Sequence, residues 1–123
     1  MGERMRCLDT YALVEILEGN PAYRKIIGEE FVVADCTLAE FYALMCKRPN
    51  ERTARYWLEK FRPNSRQIGL DVWIEAVKFR VEQRKKNLSL FDCLGYAFCR
   101  ANKYVFLTGD KEFEGMEGVE YIK

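Results

Sequence analysis

The sequence predicts an α/β fold of three layers, α/β/α, around a central, mainly parallel five-stranded sheet. Two observations predict it. Short runs of aromatic and β-branched residues alternate with longer amphipathic segments along the whole chain. The 123 residues suffice for one domain with a real core, spanning 1–123, and leave no room for a second.

Arg6-Cys7-Leu8 is a short strand ending at Asp9, and Tyr11-Ala12-Leu13 through Ile16-Leu17 follows helical spacing. Gly19-Asn20-Pro21 stops that helix, and Pro21, with its fixed φ, starts another that runs to Ile27. Phe31-Val32-Val33-Ala34 reads as a buried strand. Thr37 to Lys47 is a helix with Leu38, Phe41, Tyr42 and Met45 on one side, and Asn50 to Phe61 is a second, basic one. Arg62-Pro63-Asn64-Ser65 breaks it, and Gln67 to Leu70 is a short strand candidate. Asp71 caps a helix to about Gln83, closed by Arg84-Lys85-Lys86-Asn87. Ser89 caps the next, Leu90 to Ala101. Tyr104 to Leu107 and Val119 to Ile122 are the last strands. Such a parallel sheet places its ligand crevice at the carboxyl ends of the strands.

Composition narrows the chemistry. The chain has no histidine against 19 Asp plus Glu. That removes the Ser-His-Asp triad, the Cys-His dyad, the H-E-x-x-H metal site and a His-paired ribonuclease mechanism. The net charge of +1 hides a division: Lys47 to Asn87 carries 12 basic and 5 acidic residues, the rest 8 basic and 14 acidic. A basic middle between acidic flanks fits a phosphate-facing surface beside an acidic pocket, or a solvated helix face. The five cysteines form no C-x-x-C pair, which speaks against zinc and a disulfide framework and for a reducing cytoplasm. Met1-Gly2-Glu3-Arg4 opens no signal peptide, and no run of about 18 apolar residues offers a membrane span.

Four acids stand at βα junctions. Asp9 follows the first strand, Glu40 lies in the first turn of the helix after the Phe31 strand, Asp92 lies in the first turn of the helix opened by Ser89, and Asp110 follows Leu107-Thr108-Gly109. Three of the chain's five Asp belong to this set. Each has an ordinary local explanation. Thr37-x-x-Glu40 and Ser89-x-x-Asp92 resemble capping boxes, Asp9 suits an N-cap, and Asp110 suits a turn. What those readings leave unexplained is that all four fall on one sheet edge. Acids gathered there repel unless helix N-termini or a hard divalent cation such as Mg²⁺ or Mn²⁺ offsets them.

The pieces Leu8-Asp9-Thr10, Leu38-Ala39-Glu40-Phe41-Tyr42, Leu88-Ser89-Leu90-Phe91-Asp92 and Leu107-Thr108-Gly109-Asp110-Lys111-Glu112-Phe113, followed by Gly118-Val119-Glu120-Tyr121-Ile122, resemble the PIN-domain family, in particular its VapC-type toxin ribonucleases. The resemblance runs from the first strand to the last. It implies Mg²⁺- or Mn²⁺-dependent endonucleolytic cleavage of RNA, in which activated water attacks the phosphodiester and a 3′-hydroxyl leaves. Carried over by motif, Asp9, Glu40, Asp92 and Asp110 are the catalytic and metal-holding acids. Thr10, Ser89, Thr108 and Glu112 support them, Thr108 by hydrogen bonding. Tyr11 departs from the family's usual small polar residue, and Glu112 stands where a further Asp is common. Lys47, Arg48, Arg52, Arg55, Arg80, Arg84, Lys85 and Lys86 become candidate RNA contacts. Tyr42, Tyr56, Trp57 and Trp73 suit a homodimer or an antitoxin groove.

The alternative is a catalytically inactive PIN-like module that binds RNA or protein. A haloacid-dehalogenase-type phosphatase would want a second Asp where Tyr11 stands. A response-regulator receiver lacks its acidic pair, and a Rossmann domain its G-x-G-x-x-G.

Overall fold

The computed structural model describes residues 4–123, so the reading of the first three residues lies outside it. Five strands form one sheet: β1 (Arg6–Leu8), β2 (Phe31–Ala34), β3 (Ser65–Arg66), β4 (Val105–Thr108) and β5 (Val119–Tyr121). Their order is β3-β2-β1-β4-β5, and every pairing is parallel. The connections supply six α-helices among the described residues. They are α1 (Thr10–Leu17), α2 (Arg24–Ile27), α3 (Asp35–Lys47), α4 (Glu51–Phe61), α5 (Leu70–Glu82) and α6 (Leu90–Asn102).

The alternation of side chains along the strands divides the core in two. Cys7, Val32 and Phe106 face one layer with Leu94 and Cys99 of α6 and Ala76 of α5. Their chain neighbours Leu8, Val33 and Leu107 face the other, with Leu13 of α1, Phe41 of α3 and Ala54 of α4. Burial of each such large side chain contributes about 1.5–3 kcal/mol. Both faces are covered, which is why the strands read as continuous apolar runs.

The main departures from the sequence expectation lie at the third strand and at the starts of two helices. The third strand is Ser65–Arg66, not Gln67 to Leu70, because Val33 and Ala34 pair with Ser65 and Arg66 as soon as the 3₁₀ turn Arg62–Asn64 releases the chain. Leu70 already opens α5, with Gly69 at its N-cap and Asp71 inside the first turn. Helix α3 likewise begins at Asp35, which puts Thr37 within the helix, 3% exposed, so Thr37-x-x-Glu40 forms no capping box. Among the described residues no helix is long and apolar enough to cross a membrane.

Candidate active site

Strand β1 lies between β2 and β4, so the chain's direction of travel across the sheet reverses there. Such a reversal opens a crevice at the carboxyl ends of the strands. Leu8 and Leu107 are register partners, and the Asp9 amide donates to the Leu107 carbonyl at 3.2 Å. The next residues on the two strands therefore meet: the Thr108 hydroxyl donates to Asp9 Oδ2 at 2.5 Å. That hydroxyl also accepts from the Asp110 amide at 3.0 Å. One buried threonine thus joins two of the expected acids.

Each of the three aspartates also caps its own element. Asp9 Oδ1 accepts from the Ala12 amide at 2.9 Å, as N-cap of α1. Asp110 Oδ1 accepts from the Glu112 amide at 3.0 Å, at the head of the 3₁₀ turn Lys111–Phe113. Asp92 Oδ2 accepts from the Ser89 amide at 2.9 Å, and the Ser89 hydroxyl accepts from the Asp92 amide at 3.0 Å, a complete capping box. In Asp92 and Asp110 capping occupies one carboxylate oxygen and leaves the other, while in Asp9 the second oxygen accepts from Thr108. Glu40 makes no cap; it accepts from the Thr10 hydroxyl at 2.5 Å. Glu112 enters through its backbone.

Asp9 is 5% exposed. Burial pushes its carboxyl up to about 7, against the pull of the Thr108 and Ala12 hydrogen bonds, and the charges of Asp92 and Asp110 add to the rise. Burial also raises Asp92, with Asp110 contributing. Yet among the described residues no group of three or more Cys, Asp and Glu side chains is placed, as it stands, to hold a metal ion. The fields of Asp92 and Asp110 thus reach Asp9, and Glu40 is tied to Thr10, the chain neighbour of Asp9, but the expected joint ligation geometry of the four acids is not formed among the described residues. The donor chemistry nonetheless fits a hard divalent cation. The donors are all oxygens, and a positive charge would relieve the buried Asp9 carboxylate of both its lost hydration and its acidic neighbours.

Two residues of the site carried no signal as such in the sequence. Tyr11 lies flat against Gly109: a Cβ there would fall 2.0 Å from Tyr11 Cε1 and 2.6 Å from the Ile122 carbonyl oxygen. Tyr23 is fully buried and donates to the Ile122 carbonyl at 2.5 Å. Burial raises both phenols, and the field of Asp9 adds to each. Burial holds the thiols of Cys36 and Cys93 up to about 11, which disfavours both as nucleophiles.

The basic residues separate into two groups. Lys47 and Arg48 lie at the far end of α3, Lys47 twelve residues or roughly 18 Å along the axis from Asp35. Arg52 and Arg55 follow on α4, with Arg55 paired to Glu51 at 3.8 Å. Arg80 and Lys86 instead reach toward the site: Arg80 Nε donates to the Leu88 carbonyl at 3.2 Å, and Lys86 Nζ to the Glu112 carbonyl at 2.9 Å. Arg84 and Lys85 are exposed beside them.

A family model of the PIN domain matches residues 6–119. Among solved structures, a toxin–antitoxin complex from Klebsiella pneumoniae aligns with a TM-score of 0.74 at 22% identity, over 95% of this chain and 99% of that one. VapC20 of Mycobacterium tuberculosis, described as a sarcin-ricin loop cleaving toxin, aligns at 0.77 and 17% identity, over 91% and 95%. The DNA-bound VapBC complex of Salmonella typhimurium aligns at 0.77 and 16% identity, over 98% of both chains. At these identities the likeness is one of fold. No curated protein matches the chain.

Proposed function

The chain belongs to the PIN domain family, and on that ground we propose that it is a single-domain, cytoplasmic, Mg²⁺- or Mn²⁺-dependent endoribonuclease acting as the toxin of a toxin–antitoxin pair. The observation that carries this reading is the link at the crevice of the sheet from buried Asp9 through buried Thr108 to the amide of half-buried Asp110, with Asp92 and Glu40 nearby in the first two turns of their helices. Asp9, Asp92, Asp110 and Glu40 would hold the cation, which when bound supplies a lowered pKa for water and neutralises charge on the phosphodiester. Thr108 orients Asp9 through its hydroxyl. Glu40, polarised by the Thr10 hydroxyl, is the acid best placed to take a proton from the attacking water, being half-exposed and free of cap bonds. The basic α5–α6 connection binds the phosphate backbone.

The structural neighbours that are toxin–antitoxin complexes support a protein partner. An apolar groove of about 580 Å³, with Ile16, Ile27, Phe31, Trp57 and Phe61 in its walls, suits an apolar segment of an antitoxin. Trp57 stacks on Phe61 there, while Tyr56 stays outside and Tyr42 lies under Arg55. Leu70, Trp73 and Ile74, exposed on the first turns of α5, suit a homodimer contact.

Incubation of the pure chain with labelled RNA in Mg²⁺ or Mn²⁺ tests the function. Cleavage that stops with EDTA and with Asp9→Asn supports it. The second reading, a module that binds without cutting, draws on the lack of joint ligation geometry among the described acids. RNA bound but left whole in both metals would establish it instead.

A further inference from the structure

Between the end of α5 and the start of α6 lies a cavity of about 540 Å³. Val81, Leu88 and Leu90 line it on the apolar side, and Arg80, Arg84 and Lys86 on the cationic side. We infer that this cavity receives one nucleotide of the RNA strand beside the scissile phosphate, its base against the apolar wall and its phosphate on the cations. The inference rests on the ribonuclease reading and deepens it.

Three observations support it. The first is charge. Among the described residues, none of Arg80, Arg84, Lys85 and Lys86 forms an ion pair, whereas Arg55, Arg62 and Lys78 elsewhere each have a glutamate. Four cations within seven residues, with Glu82 alone among them and no ion pair formed, attract an anion. The second is rigidity. Backbone carbonyls hold Arg80 and Lys86, at 3.2 Å and 2.9 Å, and orient them before any ligand arrives. The third is position. Leu88 and Leu90 bracket Ser89, which anchors Asp92, and Lys86 is tied to Glu112, which anchors Asp110. No acid of the site lines the cavity itself, but its wall adjoins the residues that hold Asp92 and Asp110. The size suits a nucleotide, at the lower end of ordinary ligand cavities of about 300–1,000 Å³. The α3-end cations Lys47 and Arg48 likewise form no ion pair among the described residues, but they do not line this cavity. A second protein chain would also bury Val81, but would leave these cations facing no stated acid.

The test uses the full chain carrying Asp9→Asn, so that RNA stays intact, and a fluorescein-labelled 12-nucleotide RNA of random sequence in Mg²⁺. Arg84→Glu is expected to weaken binding about tenfold or more, while Lys47→Glu changes it less than about twofold. In the active chain, Val81→Trp fills the cavity and is expected to change the base preference at one position beside the cut, read by sequencing the ends released from a random RNA pool. Equal losses from Arg84→Glu and Lys47→Glu, or an unchanged base preference in Val81→Trp, would overturn the assignment. So would an Arg84→Glu chain that binds RNA normally but changes its mass in sedimentation, which would make the cavity a protein interface. Loss of binding in Arg84→Glu beside an unmodified chain that cuts no RNA would retain the RNA site and remove the nuclease reading.

Discussion

Thr108 and Asp9 lie 99 positions apart in the chain, and the threonine hydroxyl donates to the aspartate at 2.5 Å with both side chains buried. The bond exists because β1 and β4 are parallel neighbours in a register that sets Leu8 against Leu107. The same hydroxyl accepts from the Asp110 amide, so a single oxygen sets the positions of two acids.

Thr108→Val keeps the shape and removes that oxygen. It leaves the Asp110 amide without its partner and strips Asp9 of a bond that lowers its pKa. The expected outcome is a loss of stability of about 1–3 kcal/mol, seen in denaturant melts, with RNA cleavage reduced by about tenfold to a hundredfold. Thr108→Ser should recover most of both.

Ionisation of Asp9 predicts how stability depends on pH in the metal-free protein. The folded carboxyl titrates at about 7, against an ordinary value of 3.8. Between those values the folded chain keeps a proton that the unfolded chain has released. The contribution of this group is therefore full below about pH 4 and declines as the pH rises through 7, by an amount on the order of a few kcal/mol. Melting temperatures measured from pH 4 to 8 in EDTA should fall more steeply for the natural chain than for Asp9→Asn. Added Mg²⁺ at pH 8 should raise the natural chain's melting temperature and leave that of Asp9→Asn almost unchanged.

Gly109 has no room for a methyl group. Its Cβ would meet the Tyr11 ring at 2.0 Å and the Ile122 carbonyl at 2.6 Å, and the Ile122 amide is bonded to the Thr108 carbonyl at 2.9 Å. Gly109→Ala is expected to destabilise the fold by about 1–3 kcal/mol or more through overpacking. The double variant Gly109→Ala with Tyr11→Ala should recover part of that loss, because the ring is the softer of the two obstacles. Chemical denaturation of the single and double variants measures it.

Glu40 and Thr10 form the pair most nearly free of structural duties. Glu40→Gln retains the hydrogen bond and removes the charge. It should lower kcat for RNA cleavage by about tenfold to a thousandfold while the melting temperature changes little. A kcat equal to that of the unmodified chain would remove Glu40 from the chemistry.

Much of this was legible in the sequence, and the exceptions have physical causes. The strands at Arg6, Phe31 and Val105 are covered on both faces, so their apolar runs are plain. The third strand has two residues, Ser65 and Arg66, which are polar because it lies at the sheet edge, and no pattern of two residues can announce a strand. Asp9, Asp92 and Asp110 were legible as caps, because each lies at the start of an element. The capping-box alternative for Glu40 does not hold, since α3 starts at Asp35 and puts Glu40 in the second turn rather than the first, where it accepts from Thr10. The contact of Tyr11 with Gly109 was not legible: it depends on β1 and β4 being neighbours, a relation across about a hundred residues that no local spacing encodes.

The central claim is that Asp9 and its neighbouring acids make this a metal-dependent ribonuclease. The measurement that tests it most directly is the cleavage rate of a labelled RNA by the natural chain and by Asp9→Asn across a titration of Mg²⁺ and Mn²⁺. The account predicts cleavage that rises with metal and saturates in the natural chain, disappears in EDTA, and falls by at least about a thousandfold in Asp9→Asn without loss of fold. Equal rates in the two chains, or cleavage undiminished in EDTA, would contradict it.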